Sequence, residues 1–421
     1  MVPEGWKKGK LNELADTVMG YAFKSSDFTY DGVPLLRMGN LYQNTLDLTR
    51  NPVYLPETFK DEFKRFLVQP GDLVMSMTGT MGKRDYGFTV VVPNDYPQLL
   101  LNQRVMKLIP KNGVSSNYLL SLLRSEAILS RMYSFPGGTK QANLSAKQVQ
   151  ELPALIPPAP EQMKIAQILS TWDKAITTTE QLLANSQQQK KALMQQLLTG
   201  KKRLLAENGV RFSGGWKDTA LSEMGRIVSG GTPDTKNEDY WGGSVSWLTP
   251  TDVTALKSRY VEATSRTITE KGLKKSSATL LPPRSLMVCT RATVGAAAIS
   301  TSEITTNQGF KNLIPSKQFD VEFIYYLVAH FNKKLTRKAS GSTFLELSKR
   351  DFEKTSFNCP SLHEQKKISK TLSSADDEIE MLDTKLERLN REKKALMQQL
   401  LTGKRRVKFD DNAGDKTSYS F

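Results

Sequence analysis

A twelve-residue segment, KKALMQQLLTGK, occurs twice in this chain of 421 residues, at Lys190–Lys201 and again at Lys393–Lys404. When residues 161–203 are aligned with residues 364–406 at a constant shift of 203 positions, 22 of the 43 aligned pairs are identical. Weaker similarity continues upstream through each half of the chain. Self-similarity over such a length predicts a tandem duplication, in which a diverged domain is followed twice by a preserved segment.

Each preserved segment has the hydrophobic spacing of a long coiled-coil helix. Seam positions recur alternately four and three residues apart, from Ile165 to Leu197 and, position for position, from Ile368 to Leu400. Gly200 and Gly403 would end each helix, and about 38 residues at 1.5 Å each would make a rod of about 57 Å. The simplest pairing joins the two copies within one chain. A pseudo-two-fold axis would then make them antiparallel, with one diverged domain at each end.

The diverged segments predict two mixed α/β domains. Short β-like runs occur at Val33–Arg37, Asp72–Met77, Arg104–Ile109, Leu286–Thr290 and Lys311–Ile314, and amphipathic helices are predicted over Asn117–Met132 and Val321–Lys338. The expected fold class is α/β (α+β), with two mixed domains separated by two long antiparallel helices. The predicted boundaries are 1–157 and 204–360 for the domains, 158–203 and 361–406 for the helices, and 407–421 for a tail near the N-terminus.

A positive charge is spread over the whole chain. The formal net charge is +16, with 25 − 18 = +7 in residues 1–210 and 34 − 25 = +9 in residues 211–421. A basic surface on two domains suits nucleic acid, because each neutralised phosphate releases condensed counterions, although charge alone leaves an ordinary basic protein equally open. The sequence has no long apolar run or signal peptide and only two cysteines, so we expect a cytoplasmic location without a membrane partner.

Several stretches resemble catalytic motifs but lack their decisive residues. Asn51-Pro52-Val53-Tyr54 resembles the N-P-P-Y loop that holds a flipped adenine, yet it has valine at the third position and no glycine-rich cofactor loop before it. Gly79–Lys83 lacks the spacing of a phosphate-binding loop. His330 and His363 have no nucleophile or ligand set around them. The sequence therefore predicts no catalytic residue and no metal site.

The order of these features resembles the specificity (S) subunit of type I restriction–modification systems. The resemblance rests on the helix that begins Glu161-Gln162 and ends LLTGKKR or LLTGKRR, on the duplicated layout, and on SGGTP (Ser229–Pro233) with YWGG (Tyr240–Gly243). It implies a subunit without catalysis of its own, whose two target-recognition domains each read one half of an asymmetric, bipartite sequence in double-stranded DNA.

The resemblance also implies partner subunits. Two methyltransferase (M) subunits would dock on the helices, and restriction/translocase (R) subunits would join outside. S-adenosylmethionine, ATP and Mg would be used by those partners, with no cofactor bound by this chain. Two other classes stay open: a stand-alone DNA methyltransferase or nuclease with fused recognition domains, and a structural coiled-coil protein without a DNA role.

Loops at equivalent places in both repeats carry groups that suit DNA, since Arg pairs with guanine, Asn and Gln pair with adenine, and Thr or Lys contacts phosphate. For any single residue, a purely structural role in a turn or cap is an equal alternative. The candidates in the first domain are Arg37, Asn40, Thr78, Thr80, Lys83, Arg84, Asn102, Gln103, Arg104, Thr139, Lys140, Gln141 and Asn143. Those in the second are Gly231, Thr232, Trp247, Thr249, Arg291, Thr293, Asn307, Gln308, Ser342 and Thr343.

The repeated dodecapeptide predicts a surface for identical partners, because positions without such a role would have drifted between the copies. Recent gene conversion is the alternative. The predicted partner-binding residues are Lys190, Lys191, Met194, Gln195 and Leu198 in the first copy, and Lys393, Lys394, Met397, Gln398 and Leu401 in the second.

Overall fold

The computed structural model describes residues 2–135, 141–339 and 346–407. The chain forms two units: unit one consists of residues 1–180 and 384–421, and unit two of residues 181–383. Each unit therefore contains one mixed domain and a part of both long helices.

The first half of the chain supplies fourteen of the described strands and five of the described helices. Its strands are β1 (Lys7–Lys10), β2 (Ala15–Met19), β3 (Val33–Leu36), β4 (Leu41–Tyr42), β5 (Thr45–Leu46), β6 (Tyr54–Leu55), β7 (Leu67–Val68), β8 (Leu73–Ser76), β9 (Thr78–Thr80), β10 (Thr89–Val91), β11 (Leu99–Leu101), β12 (Val105–Pro110), β13 (Gln141–Asn143) and β14 (Pro153–Ile156). Its helices are α1 (Phe59–Glu62), α2 (Ser116–Leu123), α3 (Glu126–Tyr133), α4 (Ala146–Gln150) and α5 (Ala159–Leu197).

The second half continues with ten described strands and seven described helices. Its strands are β15 (Lys217–Ala220), β16 (Gly225–Ser229), β17 (Trp241–Leu248), β18 (Tyr260–Val261), β19 (Arg266–Ile268), β20 (Leu286–Cys289), β21 (Ala297–Ser300), β22 (Thr305–Thr306), β23 (Phe310–Pro315) and β24 (Ser356–Cys359). Its helices are α6 (Leu221–Met224), α7 (Pro250–Ala255), α8 (Glu270–Lys274), α9 (Val321–His330), α10 (Asn332–Thr336), α11 (Lys349–Glu353) and α12 (Leu362–Leu400).

The two domains repeat one strand topology. In the first domain the main sheet has the order β10-β8-β12-β2, and a second sheet pairs β3 with β11 in parallel. In the second domain the corresponding order is β21-β20-β23-β16, with β18 added in parallel beside β21, and β17 pairs with β22 in parallel. A short antiparallel pair, β1-β14 or β15-β24, precedes each long helix. The predicted fold class and the duplicated layout are confirmed.

The long helices α5 and α12 contain 39 residues each and run antiparallel where they pair. In unit one, Asp173 pairs with Lys393 and Glu161 pairs with Arg406. In unit two, Lys190 pairs with Asp376 and Arg203 pairs with Glu364. The acidic partners in unit two lie 203 positions after their counterparts in unit one, and the basic partners lie 203 positions before theirs. The same contacts are therefore made twice, with the roles of the two helices exchanged.

The helix ends are anchored in the domain cores. Leu400 and Leu401 are buried with Ile165 and Leu169 in the core of unit one. Leu197 and Leu198 are buried with Ile368 and Leu372 in the core of unit two. Removing such leucine side chains from water stabilises each unit by roughly 1.5–3 kcal/mol per residue. The predicted hydrophobic seam is thus observed as the packing surface of the helices.

Two predicted helices are each divided in the structure. The segment predicted as Asn117–Met132 forms α2 and α3, because Ser125 is extended between them and its hydroxyl bonds the carbonyl of Leu122. The segment predicted as Val321–Lys338 forms α9 and α10, which meet at Phe331. The hydrophobic period continues across both breaks, so periodicity alone did not reveal them.

Candidate nucleic-acid interface

In unit one, three loops meet at the residue that follows strand β8. The amide of Met77 donates to the carbonyl of Arg104 at 3.0 Å, and the amide of Leu144 donates to the carbonyl of Met77 at 2.8 Å. The amide of Asn102 donates to the carbonyl of Leu36, which brings the end of β3 to the same place. Residues 20–21, 77–80, 102–104 and 141–144 form the loop cluster of unit one.

Unit two repeats this construction at the residue that follows β20. The amide of Thr290 donates to the carbonyl of Gly309 at 2.7 Å, and the amide of Leu347 donates to the carbonyl of Thr290 at 2.9 Å. The amide of Asn307 donates to the carbonyl of Leu248, as Asn102 does to Leu36. Residues 230–232, 290–293, 307–309 and 346–347 form the loop cluster of unit two.

One glycine in each unit permits the close approach of two loops. The amide of Gly20 donates to the carbonyl of Val105, and the amide of Gly230 donates to the carbonyl of Phe310. A Cβ at Gly20 would overlap the carbonyl oxygen of Asn102, and a Cβ at Gly230 would overlap that of Asn307. A glycine at the equivalent position therefore allows the same backbone contact in both loop clusters, whereas most of the exposed side chains differ.

The loop cluster of unit one exposes polar and basic side chains. Strands β9 and β13 pair Thr80 with Gln141 and Thr78 with Asn143, and Thr80, Gln141 and Asn143 are exposed. Gln103 and Arg104 are exposed on the adjoining loop. The structure thus brings five of the predicted residues together.

Two further predicted cations lie in the turn that follows β9. Lys83 is exposed. Arg84 is also exposed, but it pairs with Glu126 at 2.7 Å and lies over the ring of Tyr133. A surface ion pair of this kind is weak, so the Arg84 guanidinium is exchangeable between Glu126 and an anionic ligand.

The loop cluster of unit two presents a smaller set. Thr232 and Gln308 hydrogen-bond to each other across two loops. Arg291 is exposed and pairs with Glu346 at 2.8 Å. Thr293 is exposed next to it. These four predicted residues lie on one group of adjoining loops.

Four predicted residues are buried, which disagrees with the expectation that they are exposed for direct contact with DNA. Asn40 is 4% exposed and its amide donates to two backbone carbonyls, those of Asp47 and Arg50. Thr78 is 4% exposed and Trp247 is 3% exposed. Gly231 is buried and accepts a hydrogen bond from the indole of Trp247. Long-range packing, which the local sequence does not display, accounts for all four.

Other predicted residues have local structural roles. The hydroxyl of Thr249 caps helix α7 by accepting a hydrogen bond from the backbone amide of Asp252. Asn102 and Asn307 accept hydrogen bonds from Arg104 and Gly309 within their own turns. The guanidinium of Arg37 donates to the carbonyl of Asn51 at 2.6 Å. Thr139, Lys140, Ser342 and Thr343 lie outside the described residues.

Burial shifts several pKa values around the cluster of unit two. It raises the pKa of the Cys289 thiol to about 11, although a hydrogen bond with Thr293 opposes the shift. It lowers the pKa of Lys311, which is 7% exposed. Burial would also raise the pKa of Asp252, but hydrogen bonds from Thr249 and Ser265 outweigh it and leave that pKa lowered.

Sequence reasoning missed two exposed side chains that border the clusters. Tyr21 is 43% exposed, its ring packs at 4.8 Å from that of Phe63, and its carbonyl accepts from the amide of Gln103. Arg266 is exposed and stacks 3.8 Å from the ring centre of Trp241. The match of Gly20 with Gly230 could have pointed to Tyr21. No local motif marks Arg266, because its position depends on the pairing of β17 with β19.

The structure divides the predicted partner-binding residues into three groups. Lys191, Gln195, Lys394 and Gln398 are exposed, and Met194 and Met397 are half-buried. Lys190 and Lys393 are ion-paired within their own units. Leu198 and Leu401 are 1% and 4% exposed, so both are core side chains and their assignment to a partner contact is corrected.

A groove of about 780 Å³ lies within unit one beside the second copy of the dodecapeptide. Helix α12 contributes Lys393, Lys394, Met397 and Gln398 to its lining, and the junction of α2 with α3 contributes residues 124–127. The groove thus combines half-buried apolar surface with basic and amide side chains.

Among residues 2–135, 141–339 and 346–407, no three His, Cys, Asp or Glu side chains are grouped as metal ligands would be. Within the same residues, no helix has the length and hydrophobicity needed to span a membrane.

A family model described as the type I restriction modification DNA specificity domain matches this chain twice, over residues 3–185 and 213–391. A putative type I restriction enzyme MjaX specificity subunit of Methanocaldococcus jannaschii is 25% identical over 97% of this chain and 95% of its own length. The MjaIX specificity subunit of the same organism is 36% identical, but that match spans only 39% of each chain.

Solved structures have a similar fold. A type I restriction–modification S subunit from M. genitalium superposes with a TM-score of 0.61 over 95% of this chain and 96% of its own, at 14% sequence identity. A chain from a structure on complex assembly and conformational transition of the type I system superposes with a TM-score of 0.57 over 95% and 98%, at 18% identity.

Proposed function

Because this chain belongs to the type I restriction–modification DNA specificity family, we propose that it binds an asymmetric, bipartite sequence in double-stranded DNA, one half-site per domain. It acts as a non-catalytic scaffold for two methyltransferase subunits, with restriction subunits added in the full complex. S-adenosylmethionine, ATP and Mg are used by those partners. In this assignment the loop clusters read DNA and the helices hold the partners.

The repeated loop cluster is the observation that carries this proposal. Met77, Arg104 and Leu144 are joined by the same backbone hydrogen bonds as Thr290, Gly309 and Leu347. The exposed side chains on the two scaffolds nevertheless differ, and side chains that reach base edges determine which sequence is read. One scaffold with two side-chain sets is what two unlike half-sites require.

The dodecapeptide is the part best suited to identical partners. Lys191 and Lys394 are equivalent and exposed, as are Gln195 and Gln398. In unit one the groove beside Lys394 adds apolar surface from Met397. Half-buried apolar groups and exposed amide groups along one helix provide the mixed contacts that a stable protein interface uses.

The decisive experiment separates the two halves of the DNA sequence. The chain is co-purified with its methyltransferase subunit, and adenine methylation is mapped by sequencing on a library in which both half-sites are randomised. Replacing Gln103 and Arg104 with alanine should relax one half-site, and replacing Gln308 with alanine should relax the other. Changes at the same half-site in both variants would contradict the division of labour between domains.

The same preparation tests the alternative of a stand-alone methyltransferase or nuclease. The purified chain alone, given DNA with S-adenosylmethionine or with Mg, should leave the DNA unmodified. Methyl transfer or cleavage by the chain alone would overturn the non-catalytic assignment.

A further inference from the structure

The second domain holds an arginine on a platform of two indoles. The rings of Trp241 and Trp247 lie 4.9 Å apart and nearly perpendicular, at 87°. The guanidinium carbon of Arg266 is 3.8 Å from the centre of the Trp241 ring and 5.2 Å from that of Trp247. Stacking on aromatic faces restricts a guanidinium to one plane, and the attraction to the ring quadrupole holds it there.

This platform is attached to the loop cluster of unit two. The indole nitrogen of Trp247 donates to the carbonyl of Gly231 at 2.9 Å, and that of Trp241 donates to the carbonyl of Asp234 at 3.1 Å. Both ends of the loop over residues 231–234 are therefore fixed by the rings that carry Arg266. The side chain of Thr232, within this loop, bonds Gln308.

Arg266 differs from three other arginines near the clusters in what its nitrogens contact. Arg291 is paired with Glu346, Arg84 is paired with Glu126, and Arg37 donates to a backbone carbonyl. Within the described part of the chain, the guanidinium of Arg266 has no hydrogen-bond or ion-pair partner, and the residue is exposed. Its fork of donors therefore lies against the two indoles and is available to a ligand.

We propose that Arg266 is a specificity-determining residue of the second domain, which reads a guanine in the major groove through its planar guanidinium. A bidentate contact to the guanine O6 and N7 atoms needs a flat donor pair in a fixed orientation, and the indole platform supplies that orientation. A phosphate contact would need only charge, which exposed lysine side chains already provide. This assignment rests on the proposed function.

The test compares three variants in the complex with the methyltransferase subunit, using the library with randomised half-sites. Arg266→Lys keeps the charge without the fork, and Arg266→Ala removes both. Arg226→Lys is the matched control, because Arg226 is also an exposed arginine of the second domain but lies away from the loop cluster. It is on β16, five residues before Gly231, which is about 16 Å in extended chain.

Both changes at Arg266 should abolish the preference for guanine at one position of one half-site, a loss of roughly 5- to 150-fold in discrimination. The other half-site and the Arg226→Lys variant should keep their wild-type preferences. Thermal unfolding midpoints should differ only slightly among the proteins, since an exposed cation–π contact contributes only about 0.5–1 kcal/mol.

Wild-type base preferences in Arg266→Lys, with weaker binding to all sequences and a changed salt dependence, would identify a phosphate contact and overturn the proposal. Unchanged preferences in both variants would also overturn it. If the wild-type complex itself showed no sequence preference, the proposed function would fail, and this inference with it.

Discussion

Arg203 holds the buried carboxylate of Glu364 by two contacts, 2.5 Å from Nε to Oε1 and 2.6 Å from Nη2 to Oε2. The equivalent pair in unit one, Arg406 with Glu161, has the same two-nitrogen geometry at 2.8 and 2.9 Å. Glu161 also accepts a hydrogen bond from the indole of Trp6, whereas the indole nitrogen of Trp216 has no hydrogen-bond partner among the residues that the structure describes. The two repeats therefore support the same buried charge unequally.

Replacing Arg203 with alanine should destabilise the protein by about 3–5 kcal/mol, the usual cost of leaving a buried carboxylate without its partner. Arg406→Ala is the matched variant and should cost less, because Glu161 keeps the hydrogen bond from Trp6. Chemical unfolding followed by circular dichroism measures both. Adding Glu364→Gln to Arg203→Ala should recover part of the lost free energy of unfolding, because no unpaired charge is then buried. A larger loss in Arg406→Ala than in Arg203→Ala would contradict the conclusion that Glu161 is the better supported of the two carboxylates.

Replacing Gly230 with alanine should distort the loop cluster of unit two, because the new Cβ would overlap the carbonyl oxygen of Asn307. The expected cost is at or above the ~1–3 kcal/mol typical of overpacking. Gly214→Ala is the control, since no atom lies within 4 Å of a Cβ built there. Thermal unfolding should distinguish the two, and equal midpoints would show that the close approach of the loops is not needed for stability.

The stability of the protein should fall at acid pH in part through Glu322. Burial alone would raise the pKa of this carboxyl, but hydrogen bonds from Tyr260 and Ser373 and the charges of Arg259 and Arg284 outweigh it and lower that pKa below 4.5. A lowered pKa in the folded state means that the stabilisation is complete above the unfolded value and is lost as pH falls through the folded one.

Glu322→Gln should therefore show a weaker loss of stability than the wild-type protein as pH falls below about 4.5. Unfolding midpoints across pH 3–7 provide the measurement. Glu303→Gln, a change at an exposed site in the same unit, should keep the wild-type slope. An unchanged slope in Glu322→Gln would remove this residue from the account of acid sensitivity.

Both cysteine thiols should resist alkylation in the folded protein. Burial raises the pKa of Cys289 to about 11 and that of Cys359 to about 12, so at pH 8 only about one thiol in a thousand or fewer is ionised. Mass spectrometry after iodoacetamide treatment should find neither residue labelled until denaturant is added. Rapid labelling without denaturant would show that these sites open in solution.

The sequence was most informative where one period extends over many residues. The seam from Ile165 to Leu197 located helix α5, although the predicted boundary at residue 203 included the turn that closes after Leu197. Strand β20 was predicted to within one residue. Long periodic segments carry their structure locally, whereas the ends of elements depend on capping and on tertiary contacts.

The candidate site was predicted as a set of loops, but not residue by residue. Asn40 and Trp247 have the chemistry of DNA-binding residues, yet distant carbonyls and neighbouring rings bury them. Arg266 has no motif, because its stacking depends on the antiparallel pairing of Trp247 with Arg266 in adjacent strands. Exposure is decided by contacts between positions far apart in sequence. Residue type alone therefore could not separate the exposed residues that are available to DNA from the buried residues that stabilise the fold.

The end of each long helix packs in the core beside the start of the other, and this has a consequence for synthesis on the ribosome. Unit two consists of one continuous stretch, residues 181–383, whereas unit one needs residues from both ends of the chain. Leu400 and Leu401 complete a core begun by Ile165 and Leu169, more than two hundred codons earlier. The domain that is translated first is thus the last to be completed. A chain that ended near residue 384 would contain all of unit two but would lack the helix residues that complete the core of unit one.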